Sequence, residues 1–263
     1  MFLWLGENMA DEKDYNYYSH INYTNNLNKM KDLPTGQDFQ WRAMIPNNVG
    51  WLELRMSKDI MNYLWKQIES ASTDFRSQLA GNIKQSQVIE DKDDFFFRKV
   101  LSQAIIHFED QFGEYNKAIV DNAEDEYYKY CMNAFWVNHQ YEGEFNPPHA
   151  HGAVYSFVIW MKIPTDFKEQ HKLYLSKGTG KPKSSNFEFN YPNIVGQMTQ
   201  HTYLMNEDVE GMMLFFPSNL QHQVYPFYGT KEPRISVSGN IRLKNTKSPQ
   251  RTVMMSENKK YVG

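Results

Sequence analysis

The sequence predicts an α+β fold, with helices first and a β-sandwich or barrel after them, and three observations carry the prediction. Apolar residues recur at three-to-four spacing in the stretches before about residue 120. From about residue 130, short runs rich in Val, Ile, Phe, Tyr and Trp are separated by Gly, Pro and Asn clusters. The two textures do not alternate, as they would in a chain of βαβ units.

Residues 1–45 are polar, rich in Asn, Asp and Tyr, and lack a clear period, so they are expected to form an irregular N-terminal arm. The remaining residues, 46–263, are expected to form a single domain, with helical support over 56–122 and a β core over 130–243. A first helix is predicted over 57–71, where Ile60, Met61, Leu64, Trp65 and Ile68 share a face and Ser57 stands at the start. A second is predicted over 92–122, with Phe96, Val100, Leu101, Ala104, Ile105, Phe108 and Phe112 on one side and Gly113 as a possible break. Neither helix holds a catalytic cluster; their expected job is to buttress a sheet. Strands are predicted over 132–139, 153–163, 171–176, 186–191, 197–204, 211–216, 222–227 and 234–243. The Gly-, Lys- and Ser-rich stretch SKGTGKPKSS (176–185) is predicted to be a mobile loop able to close over a substrate. No internal repeat of fixed period is present.

Composition narrows the function classes. Hydrophobic residues make up 41% and charged residues 22% of the 263, enough for a real core. A net charge of −3 gives no global basic field for nucleic acid. Aromatic residues at 15% suit β-rich packing. Cys131 is the single cysteine, so no intramolecular disulfide can form, which fits a reducing, cytoplasmic setting. The opening MFLWL is too short for a signal h-region and lacks a basic flank, and no run approaches the roughly 20 apolar residues of a membrane span.

Three histidines stand at chain punctuation. His149 and His151 form a His-x-His pair after Asn146-Pro147-Pro148 and before the apolar run VYSFVIWMKIP. On an extended segment, residues two apart point the same way. His222 follows a turn at Pro217-Ser218-Asn219, so a distant strand can bring a third imidazole to the same point. Imidazole suits iron, zinc, copper or nickel. Downstream, RISVSGNIRL alternates: Arg234, Ser236, Ser238 and Asn240 fall on one face, with Ile235, Val237 and Gly239 on the other. If the polar face points inward, a guanidinium with a hydroxyl nearby makes a carboxylate anchor. If it points outward, it is the ordinary polar side of a strand.

The segments NHQYEGEFNPPHAHGAVYSFVIWMKIP and GMMLFFPSNLQHQVYPFYGTKEPRISVSGNI resemble the 2-oxoglutarate/Fe(II) oxygenases, and among them the phage-encoded members with a prolyl-hydroxylase-like fold. The resemblance covers roughly residues 130–243. It implies a double-stranded β-helix (jelly-roll, cupin-like) core and a non-haem dioxygenase that hydroxylates a C–H bond of an unidentified substrate, using Fe(II), 2-oxoglutarate and O2. Residue by residue, it implies that His149 and His222 are metal ligands, with Arg234 and Ser236 on the far carboxylate of 2-oxoglutarate. Asn138, Tyr155 or His139 are candidates for the rest of the cosubstrate pocket. One position departs from the family: His151 stands where most members carry a carboxylate. Either His151 is the third ligand, or water, a halide, Glu142 or Glu144 takes that role. Two other readings stay open on the residues alone. One is a three-histidine iron dioxygenase that needs no 2-oxoglutarate; the other is a non-catalytic jelly-roll binding or virion module.

Overall fold

A computed structural model describes residues 48–113 and 128–245 of the chain. The expected arm over 1–45 and the expected helix beyond residue 113 lie outside the described residues. Among the described residues, no helix is long and apolar enough to cross a membrane.

Among the described residues, ten strands form two antiparallel sheets. In chain order they are β1 (Leu52–Arg55), β2 (Gln85–Val88), β3 (Tyr128–Gln140), β4 (Asn146–His149), β5 (Tyr155–Lys162), β6 (Phe187–Pro192), β7 (Met198–Tyr203), β8 (Met212–Pro217), β9 (Gln221–Val224) and β10 (Arg234–Asn245). The larger sheet has the order β1-β8-β5-β10-β3-β2 and the smaller β4-β9-β6-β7. This is the jelly-roll arrangement of a double-stranded β-helix, as expected.

Helix α1 (Lys58–Ser70) begins where predicted, and the Ser57 hydroxyl accepts the Ile60 N–H at 3.3 Å. Helix α2 (Ser102–Phe112) is entered through a π-turn at Phe97–Leu101 and ends at Gly113, whose φ of 80° is the left-handed conformation that favours glycine. Its start lies later than residue 92, because Asp93 and Asp94 take positive φ. Asp91 caps the segment instead, one carboxylate oxygen on the Phe96 N–H and the other on the Phe97 N–H.

The central strands have two buried faces. On β10 and β5, Ile235, Val237, Ile241, Tyr155, Phe157 and Ile159 pack against both helices. Across the sheet, Trp160, Leu214 and Phe216 meet Phe187, Phe189 and Tyr203 of the smaller sheet. At Gly239 the helix-side row has a gap that the Phe157 ring fills; a Cβ there would lie 2.5 Å from Phe157 Cζ.

One predicted strand needs correction. Residues 171–176 are turns rather than a strand. They follow a short helix α3 (Phe167–Gln170) that Asp166 caps through the Lys168 N–H at 2.7 Å, and Gln170 is tied at both ends to the Tyr228 backbone. Three strands escaped notice. LELR is a four-residue edge strand, QSQV has almost no apolar signal, and NPPH carries two prolines. Proline gives no ladder N–H, so β4 is confined to a sheet edge, where it lies.

Candidate active site

The two sheets enclose a cavity of about 390 Å³, lined by His149, His151 and His222 at one wall and by the polar face of β10 at another. The alternation predicted for RISVSGNIRL is therefore inward: Arg234, Ser236, Ser238 and Asn240 all line the cavity.

His149 closes edge strand β4, directly opposite His222 on β9. Each donates through Nδ1 to a backbone carbonyl two residues earlier, Pro147 at 2.7 Å and Leu220 at 2.9 Å. That bond fixes the tautomer and leaves Nε2 with its lone pair free for a metal. His151 lies just past the strand, its N–H held by the Ser218 carbonyl at 2.7 Å. Ser218 in turn bonds Ser156 at 2.9 Å, and Ser156 bonds Asn240 at 2.7 Å, so the turn after β8 is locked to the large sheet. The three rings offer ligand atoms that all lie within 4.8 Å of one another. Burial pulls all three imidazoles below the usual histidine range, His151 to about 4 and His222 well below. At neutral pH they are uncharged, the form that can ligate a metal. This donor set fits a divalent iron.

No carboxylate joins the cluster among the described residues. Glu144 is buried with both oxygens on backbone N–H groups, of Lys84 and Tyr141, and Glu142 accepts from Gly229. Neither lines the cavity, so the alternative ligands Glu142 and Glu144 are placed elsewhere.

Arg234 is 2% exposed and has no acidic partner among the described residues. Its Nη2 donates to the Ser185 carbonyl at 2.7 Å and to the Ser185 hydroxyl at 2.6 Å, while Nε is buried without any partner. The Phe227 ring lies 5.1 Å from the guanidinium carbon. Burial pushes the group down to about 9, so it stays protonated at neutral pH. A buried cation with an unused N–H is costly unless an anion completes it, which suits the carboxylate of a cosubstrate. Asn138 lines the same cavity with its Oδ1 buried and unpaired, and Ser236 lies beside it in register.

Two candidates fall elsewhere. Tyr155 faces the helices, packed on Phe108 and Phe215 with its hydroxyl toward Glu109, and it does not reach the cavity. His139 sits on the opposite face of β3 from Asn138 and is likewise outside. The 176–185 loop is also more anchored than expected. Ser176, Ser184 and Ser185 are buried, and the exposed part is 177–181. The residues missed from sequence are Ser185, Gln140 and Trp136. Gln140 and Trp136 share the inward parity of Asn138 on β3, a signal that was available. Ser185 had none.

Residues 134–240 match the family model described as "Putative 2OG-Fe(II) oxygenase". That segment holds all the residues just described as candidate ligands. No curated protein matches the chain. Among solved structures, an oxidoreductase of the 2OG-Fe(II) oxygenase family from Burkholderia pseudomallei is 11% identical, with a TM-score of 0.45 over 74% of this chain and 84% of that one. The viral collagen prolyl hydroxylase of Paramecium Bursaria Chlorella virus-1 is 12% identical, with a TM-score of 0.41 over 73% and 94%. A prolyl-4-hydroxylase from Pseudomonas putida is 16% identical, with a TM-score of 0.39 over 73% and 92%.

Proposed function

We propose that this protein is a non-haem dioxygenase in which His149, His151 and His222 hold Fe(II), while Arg234, Ser236 and Asn138 receive 2-oxoglutarate. The observation that carries this assignment is a pairing: three neutral imidazoles meet at one point of a cavity that also holds a buried guanidinium with no counter-charge among the described residues. When bound, iron and cosubstrate supply the oxidising power to insert oxygen into a C–H bond. The chain's own residues bind, orient and exclude water. Pro147 and Leu220 carbonyls aim two imidazoles, Ser218 holds the third segment in place, and Arg234 fixes the far end of the cosubstrate. Phe187, Phe216 and Trp160 on the cavity wall keep that space apolar between the two polar ends.

The single cysteine is in keeping with a reducing, cytoplasmic setting, which would be the host's if the gene is phage-borne. A three-histidine dioxygenase that does without 2-oxoglutarate accounts for the missing carboxylate but leaves Arg234 without a role. The deciding experiment is an oxygen-dependent assay for conversion of 2-oxoglutarate to succinate. Activity that needs Fe(II), stops on chelation and is lost in His222→Ala supports the proposal. Iron-replete protein that consumes no 2-oxoglutarate overturns it.

A further inference from the structure

The cavity carries two charged side chains, Arg234 and Arg242, and no Asp, Glu or Lys lines it among the described residues. Both arginines sit on the inward row of β10, eight positions apart, which at about 3.3 Å per residue separates them by about 26 Å along the strand. Arg234 is buried; Arg242 is exposed at the mouth and has no acidic partner among the described residues. The backbone of His151 lies toward the Arg242 end, because Asn240, one inward position from Arg242, is linked to it through Ser156 and Ser218. A five-carbon cosubstrate anchored at Arg234 cannot span to Arg242. That end of the cavity faces whatever else enters.

Charge and hydrogen-bonding capacity identify the entrant. Three neutral imidazoles leave the full charge of a divalent metal in place, where a carboxylate ligand would have removed one unit. With both arginines the site holds four positive charges, and the dianionic cosubstrate cancels two of them. The surplus is concentrated by low-dielectric walls. On the same side, the indole N–H of Trp136, a side chain 5% exposed and 6.1 Å from the His151 ring, is buried with no acceptor, and Asn133 Oδ1 is buried with no donor. Buried polar atoms of this kind are usually satisfied, so a ligand is their natural partner.

We propose that the primary substrate is a small anion, bearing a carboxylate or phosphate that Arg242 receives at the mouth while Trp136 and Asn133 take its polar groups deeper in. This rests on the iron and 2-oxoglutarate assignment above. The test uses full-length protein loaded anaerobically with Fe(II) and 2-oxoglutarate, with the visible charge-transfer band as a check on loading. Benzoate, phenyl phosphate and neutral benzamide are then titrated by calorimetry. The expected result is binding of benzoate or phenyl phosphate, weaker binding of benzamide, and an affinity about tenfold lower in Arg242→Gln with the band unchanged. Whichever anion binds more tightly distinguishes a carboxylate from a phosphate substrate. Equal binding of benzamide and the anions, or no effect of Arg242→Gln, overturns the proposal while leaving the cosubstrate assignment intact. Absence of the band in wild type overturns both.

Discussion

Arg234 is held from beneath by Ser185: the guanidinium donates to both its carbonyl and its hydroxyl, and Ser185 itself is fully buried with φ at 71°. A serine in left-handed backbone is disfavoured by about 1–2 kcal/mol, and such strain persists only where its surroundings over-determine it. Here they do, since the Ser185 N–H also reaches the Pro226 carbonyl at 2.8 Å. The strained residue aims the side chain that we assign to the cosubstrate. Ser185→Gly keeps the backbone and loses the hydroxyl. Its expected effect is about tenfold weaker 2-oxoglutarate binding with unchanged Fe(II) affinity and no loss of thermal stability. Calorimetric titration of both ligands checks this, and unchanged cosubstrate affinity would refute a positioning role.

Arg234→Met separates binding from stability. Removing a buried, uncompensated cation and keeping an apolar stem should stabilise the ligand-free protein, by about 1–4 kcal/mol. The same change should abolish 2-oxoglutarate binding. Chemical denaturation with and without cosubstrate measures both. A destabilised ligand-free variant would mean that the bonds to Ser185 outweigh the desolvation cost.

His151→Asp places a carboxylate beside the two remaining imidazoles of the cluster. The added negative charge beside a divalent ion should tighten Fe(II) binding by about tenfold or more, close to 1.4 kcal/mol. Chelator competition reads this directly. If metal binding is lost instead, the imidazole reach of His151 is required and an Asp side chain is too short.

The metal-free protein should lose stability as pH falls from 7 to 5. His151, His149 and His222 have folded-state values below the ordinary 6.5, so in that window the unfolded chain takes up protons that the folded chain refuses. The loss begins near 6.5 and continues toward about 4, where His151 titrates in the folded state. Thermal melts across pH 5–7 should show a falling midpoint, with a shallower slope in His151→Gln. A flat profile in the wild type would contradict buried neutral imidazoles.

The sequence showed much of this centre and hid part of it for identifiable reasons. The inward face of β10 was readable because Arg234, Ser236, Ser238 and Asn240 alternate with apolar residues and glycine. On β5 the same period gave no guidance, since both faces of YSFVIWMK are buried. Tyr155 and Ser156 are adjacent, so they point to opposite faces, and only the packing decides that Ser156 meets the cavity and Tyr155 the helices. The register that sets His149 against His222 depends on β4, whose two prolines conceal it as a strand. Ser185 lay in a Gly- and Lys-rich stretch that reads as loop; its burial arises from contacts with Arg234 and Pro226, distant in sequence.

The most direct test of the central claim is an anaerobic titration of the purified protein with Fe(II) and then 2-oxoglutarate, followed by visible absorption. The account predicts a metal-to-ligand charge-transfer band in wild type, its loss in His222→Ala, and a far higher cosubstrate requirement in Arg234→Ala. Iron that binds without any response to 2-oxoglutarate, or a band indifferent to Arg234, would contradict it.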